Sequence, residues 1–331
     1  MIGGYGSVAV AGLAKNVGKT VTLRHLLREG TRRGLRLGVT SIGVDGESID
    51  SVSATRKPEI TLYPGVVFAT SEAHYRRRRL QSEVTGVARR HTALGRVVVA
   101  KALSAGKTLL SGPADTTSLR EVIWMLRSEG AGTVLVDGAL SRLSPASPAV
   151  TDAMVLATGA ALSPEISRIV SRTSFVCSLT ELPEVDSPLG KSLEGLEGDL
   201  WGIDEEKTPR ALGIGSALSL DRVKEGILRF GTVIFNPGIV SDKLLSFLSS
   251  LSQIKDITLI VRDFTRLFVQ PHTLKVYLGK GGSIKVLERP RLLGVTVNPY
   301  SPAGYQVDKD RLVGSLQASL NVPVEYITPE P

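Results

Sequence analysis

The stretch AGLAKNVGKT, residues 11–20, sets a lysine and a threonine directly behind a glycine at the end of a short apolar run. Those residue types at that spacing suit a phosphate. Holding one needs backbone N–H groups aimed at the anion, and glycine permits both the turn and the close approach. A helix that begins here adds its positive end. Gly12, Lys15, Asn16, Val17, Gly18, Lys19, Thr20 and Val21 form the expected cradle. Lys19 would reach the β- and γ-phosphates of a nucleotide, and the Thr20 hydroxyl would ligate Mg²⁺. One feature departs from the standard loop: five residues lie between Gly12 and Gly18 instead of four, so Leu13 stands at the first glycine position. Lys15 is a second cation in the loop, with a solvated lysine as the plain alternative.

Other candidates stand where apolar runs stop. Asp137 closes TVLVD, the usual place for an acid that holds Mg²⁺ beside a phosphate loop. Asp45, in SIGVDGES, could orient the attacking water or touch the metal, with Glu47 as its alternate. Either aspartate could equally open an Asp-Gly turn. Asn298, in LLGVTVNPYSP, could read a purine base by paired hydrogen bonds or simply turn the chain. The candidate catalytic set is therefore Lys19, Asp45 and Asp137, and the candidate metal set is Thr20, Asp45 and Asp137.

These residues need strands and helices to bring them together. SVAVAG (7–12) reads as a buried strand. VTLRHLLREGTRRG comes next, with Val21, Leu23, Leu26 and Leu27 at helical spacing, and LRLGVTSIGVDG reads as the next strand. A strand, crossover helix and strand make a parallel βαβ unit. GVVFATS, GTVLVDGALSR and DAMVLATGAAL extend the strand pattern, and TTSLREVIWMLRSEG and SPEISRIVSRTSFVCSL the helical one. HYRRRRLQSEV reads as helical or looped. Residues 181–210 are acidic and aperiodic, which predicts a linker or insertion. The expectation is an α/β fold: a mainly parallel sheet covered by helices on both faces. It assigns a P-loop nucleotide-binding domain to 1–180 and a smaller α/β domain to 211–331. Ligands in such sheets bind at the carboxyl ends of strands, so the loop, Asp45 and Asp137 should share one edge.

Composition narrows the partners. Hydrophobic residues make up 42% of the 331-residue chain, enough for a core, and charged residues 22%. Forty Lys+Arg against 32 Asp+Glu give a formal charge of +8, which favours anionic partners. Much of the excess is arginine between 76 and 96. With aromatics at 5% and none interleaved there, a solvated or protein-docking face is expected over a nucleic-acid one. The single cysteine, Cys177, excludes an internal disulfide. His25, His74, His91 and His272 show no metal-ligand spacing. Without a basic leader, or an apolar run near the ~18 residues that span a bilayer, the expectation is a soluble cytoplasmic protein with no membrane partner.

The loop AGLAKNVGKT resembles the P-loop class of dethiobiotin synthetase, the molybdenum-cofactor adaptor GTPases and the MinD-type ATPases. Lys15 resembles the extra lysine of the deviant members, which implies a homodimer in which it reaches a partner's phosphate. A longer likeness runs through GLAKNVGKT, SIGVDGE, TALGRVVVAKALSAGK, VLVDGALSR, DAMVLATGAAL and VTVNPYSPAGY. Together these resemble the P-loop subunit of the lysine 5,6-aminomutase reactivases. That resemblance implies ATP-driven release of damaged cobalamin from a mutase using adenosylcobalamin and pyridoxal phosphate. It also implies a second, MutS-like ATPase subunit as partner.

No Ser-His-Asp order or nucleophile elbow accompanies the loop. A phosphate loop without further chemistry suggests hydrolysis that drives a conformational change. Two alternatives remain: a dethiobiotin-synthetase-like ligase or small-molecule kinase, and a nucleotide-binding module that does not hydrolyse. ATP over GTP is implied by the likeness, and no Asn-Lys-x-Asp guanine signature is present.

Overall fold

Short buried runs that end in glycine or aspartate become parallel strands. The computed structural model describes residues 2–43, 58–138, 146–198, 200–213, 224–225 and 229–328. It divides into two units, one of Met1–Ser174 with Pro290–Pro331, the other of Phe175–Arg289.

The first unit begins with β1 (Ser7–Gly12), α1 (Lys19–Arg32), β2 (Leu37–Ser41), β3 (Ile60–Leu62), β4 (Val67–Ser71) and α2 (Glu72–Arg76). It continues through β5 (Ser82–Thr92), β6 (Gly95–Ala102), β7 (Gly106–Thr108), α3 (Thr116–Ser128), β8 (Thr133–Asp137) and β9 (Ala153–Gly159). The boundary between units falls inside α4 (Ile166–Thr180). The second unit holds α5 (Ser187–Leu193), β10 (Trp201–Ile203), β11 (Pro209–Ala211), β12 (Val233–Asn236), β13 (Val240–Ser241) and α6 (Asp242–Leu248). After these come β14 (Thr258–Val261), β15 (Leu267–Phe268), α7 (Pro271–Gly279) and β16 (Ser283–Val286). The chain then returns to the first unit with β17 (Arg291–Asn298), α8 (Lys309–Ser319) and β18 (Val324–Tyr326).

The first unit's sheet has nine strands in the order β18-β17-β9-β1-β8-β2-β4-β6-β5. From β18 to β4 every pair is parallel; β6 runs antiparallel to β4, and β5 to β6. Alternate residues of one strand serve two cores. Leu135 of β8 joins Leu23 and Leu27 of α1, with Val10 and Val39. Its neighbours Val134 and Val136 join Leu119, Val122 and Leu126 of α3. Each of these leucines, fully buried, stabilises the fold by roughly 1.5–3 kcal/mol. The second unit's sheet has the order β11-β10-β12-β14-β16, with β12, β14 and β16 parallel.

The structure draws the domain division elsewhere than at 180 and 211. Residues from Pro290 onward belong to the first unit, because β17 pairs with β9 along its whole length. The stretch 181–210 holds α5, β10 and β11, and Leu193 and Ile203 are buried with Phe235 and Ile260. Its acidic residues lie around that apolar anchor and mask its periodicity. The arginine-rich stretch is a short helix and then an eleven-residue strand, β5. That strand is mostly exposed, so it lacks the apolar signature by which buried strands are read.

Candidate functional site

Strand register collects the candidates at one edge. Val10 pairs with Asp137, Gly12 with Ala157, Ser41 with Asp137, and Asn298 with Gly159. All of these lie at the carboxyl ends of parallel strands. The Leu13 amide then donates to Ala157 O at 3.1 Å, tying the start of the loop to β9.

The loop turns on two residues with left-handed backbone, Asn16 (φ 60°) and Gly18 (φ 94°). Gly18 stands at the N-cap of α1 and offers no side-chain cap to the helix. Gly12 is needed for space. A Cβ there would lie 2.7 Å from Lys19 Cγ and 2.9 Å from Val17 Cγ2. Val17 is buried and pins the loop from beneath, and Asn16 is exposed at its crest. Lys15, Lys19, Thr20 and Val21 are half-buried.

Lys19 folds back over the loop, its Nζ donating to Ala14 O at 3.2 Å. Burial lowers its pKa below the ordinary lysine value, the charge of Asp137 opposes that shift, and Lys15 adds to it. The two loop lysines and the strand-end acid therefore feel one another. The second acid expected from the sequence, Asp45, lies outside the described residues, as does its alternate Glu47.

Asn298 braces the loop. Its Nδ2 donates to Asn16 O at 2.8 Å, and its Oδ1 accepts from the Tyr300 amide at 3.1 Å. Both ends of the amide are engaged with backbone in this arrangement. A Cβ on Gly18 would come within 3.1 Å of Asn298 Cβ, so the two segments are in close contact.

Residues that no motif or spacing singles out complete the frame. Thr22 Oγ1 lies 2.7 Å from Thr296 Oγ1, a buried hydroxyl pair linking α1 to β17, and it also donates to Gly18 O. On the other flank Ser111 is buried with His74 Nδ1 at 2.8 Å and Ser71 Oγ at 2.6 Å. These bonds fix the adjoining backbone, where Gly43 N donates to Pro113 O at 2.8 Å and Gly112 N to Gly43 O at 3.2 Å. Ser111 and His74 are 0% and 4% exposed, which makes them a brace and not a reactive pair. No spacing rule links residues so far apart in sequence. Cys177 is buried, and desolvation pushes its thiol up to about 12, so it is no nucleophile.

Compared with protein-family models, curated proteins and solved structures, the chain matches none. Among the described residues no three His, Cys, Asp or Glu side chains gather as a metal cluster, and no helix is long and apolar enough to cross a membrane. Among the described residues, the candidate oxygen donors on this edge include the Thr20 hydroxyl and the Asp137 carboxylate. A few protein oxygens with the remaining positions left to phosphate and water suit Mg²⁺, which dehydrates reluctantly.

Proposed function

We propose that this chain binds ATP with Mg²⁺ in the loop from Gly12 to Val21 and hydrolyses it to change the conformation of a protein partner. By resemblance, that partner is an adenosylcobalamin- and pyridoxal-phosphate-dependent lysine 5,6-aminomutase, served together with a MutS-like ATPase subunit. The observation that carries the reading is the start of α1. A glycine in left-handed conformation leaves the helix end without a side-chain cap, and the next residue is a lysine curled over the loop beside Asp137. Such an end attracts an anion through its N–H groups and its dipole.

The residues then have separable tasks. Backbone N–H groups of the loop hold the phosphates, and Lys19 exchanges Ala14 O for a terminal phosphate oxygen. Mg²⁺, when bound, neutralises charge shared between β- and γ-phosphates. Thr20 and Asp137 are the groups that would hold it. Asp45, with Glu47 as alternate, is the proposed orienting group for the attacking water. Asn298 keeps the Asn16 carbonyl turned away from the phosphates. Lys15 is proposed to reach a second copy's phosphate in a homodimer.

Lys19→Ala tests the site. The wild type should gain thermal stability from ATP with Mg²⁺, and the variant should gain none. A variant stabilised as well as the wild type would sink the assignment.

A second reading, a small-molecule kinase or ligase, is favoured by one observation. The segment Pro113–Asp115 lines a cavity of about 370 Å³ with Arg90, His91 and Ser118, next to the end of β2. The stretch KPEITLYPG, residues 57–65, is the other candidate wall of such a pocket, and its described residues do not line this cavity: Gly65 N donates to Ala102 O, at the opposite end of β4. Phosphate release stimulated by an aminomutase would support the first reading; release only with a small acid or amine would support the second. Nucleotide binding without any release would leave a binding module.

A further inference from the structure

One stretch of sequence is strongly positive, with Arg76 to Arg79 in α2 and just after it, and Arg89, Arg90, Arg96 and Lys101 on β5 and β6. Residues 76–101 hold eight arginines and lysines against a single glutamate, in a chain whose formal total is +8. The fold lays much of this stretch into β5 and β6. Among the described residues β5 is the outermost strand and pairs only with β6, so its other edge presents backbone N–H and C=O groups outward. At eleven residues it is about twice the mean strand length.

The surface of this edge is mixed. Val84 and Val87 are 48% and 44% exposed. Between the pairs Val87–Val98 and His91–Arg96 the register shifts, and β5 bulges. Ala88 turns in to the α3 core, while Arg89 and Arg90 are exposed. Some cations nearby have partners: Arg76 with Glu72, Arg79 with Glu59, and Arg90 with Asp115 at 3.8 Å. Arg78 lies over the Tyr75 ring. Arg89, Arg96 and Lys101 are exposed on β5 and β6, Arg96 donating to His91 Nε2 at 3.1 Å, and keep the ribbon positive.

We propose that the outer edge of β5 binds an acidic, extended segment of a protein partner as an added strand. Main-chain hydrogen bonds along the edge supply affinity, Val84 and Val87 receive apolar side chains, and the arginines receive carboxylates. Neither β5 nor β6 carries a Phe, Tyr or Trp, which disfavours single-stranded nucleic acid, whose bases need stacking platforms. The turn of the hairpin lies where Ser71 pairs with Val97, at the carboxyl edge that holds the glycine loop. A docked strand would therefore end on the edge where nucleotide is proposed to bind. The inference goes beyond that nucleotide reading and does not depend on it, since strand addition needs no nucleotide.

The test uses fluorescence anisotropy of the full chain, without nucleotide, against three labelled probes. One is a peptide of alternating glutamate and valine as long as β5. The second is the same peptide with alternate backbone nitrogens methylated, and the third is an oligothymidylate of equal charge. The plain peptide should bind most tightly. Methylation should weaken it about tenfold, and so should the exposed double substitution Arg89→Glu with Arg90→Glu. Lys19→Ala should bind the peptide as the wild type does, which separates this proposal from the nucleotide site. Four results would overturn it. They are no binding of the plain peptide, equal binding of the methylated one, indifference to the double substitution, or tighter binding of the oligothymidylate.

Discussion

β1, ending AVAG, in the first unit and β12, ending VIFN, in the second both end at the carboxyl edge of parallel strands, and each leads through a turn toward a helix, β12 by way of the short strand β13. Their turns are built differently. After β12, Asn236 Oδ1 accepts from Gly238 N at 2.9 Å, and Ser241 Oγ accepts from Leu244 N at the start of α6. On the neighbouring strand end, Asp263 Oδ1 accepts from the Thr265 amide at 2.8 Å and from its hydroxyl. These polar side chains satisfy their own turns. After β1 the chain has Gly12 and Gly18, and α1 begins with no side-chain cap. The lesson is that a polar residue at a strand end does not make a site. After β1 no side chain caps α1, so the first N–H groups of that helix are left to another acceptor.

The contrast can be broken at several points. The largest expected effect after loss of Lys19 is from Gly12→Val, whose side chain would collide with Lys19 and Val17. Overpacking of this kind costs about 1–3 kcal/mol, so ATP affinity measured by calorimetry should fall up to about a hundredfold. The matching change in the second unit, Gly238→Ala, places a Cβ 3.3 Å from Asn236 Oδ1 and should leave that affinity unchanged. A comparable loss there would show that the two edges are not independent.

Asn298→Ala removes the bond to Asn16 O. At about 1 kcal/mol for one such bond, ATP affinity should drop about fivefold while the fold persists. An unchanged affinity would mean that the loop keeps its shape without the brace. Ser241→Ala should do the reverse. It should cost about 1 kcal/mol of stability in a denaturant titration, as lost helix caps do, and leave nucleotide binding alone.

The smallest effect concerns pH. Burial holds the folded pKa of Lys19 below its unfolded value. Between those two values the unfolded chain binds more protons, so this residue makes stability rise as pH climbs through the alkaline window. Replacing it, Lys19→Met, should remove that increment from the difference between the two stability curves. Parallel curves would show that Lys19 is not desolvated in solution.

Much of the glycine-loop frame was legible because its parts are contiguous. The apolar run, the glycines, the lysine and the helix pattern fall within residues 7–32, where local sterics and periodicity act. The edge strand β5 was not legible, since an exposed strand shows little alternation to read. Unit membership failed for a different reason. The RLLGVTVN run reads as a buried strand, yet nothing within it says that it pairs with β9 and not with the strands just before it.

The sequence by itself determined the residue types and spacing of the glycine loop, the alternation of strands and helices, and the concentration of positive charge between 76 and 101. Only the tertiary structure decided that Asn298 braces Asn16 across 282 residues, that β17 and β18 rejoin the first sheet, and that Ser111 meets His74. The physical reason is range. Backbone preference and side-chain periodicity are set by near neighbours, whereas register and buried polar pairing are set by which distant segments close onto one another.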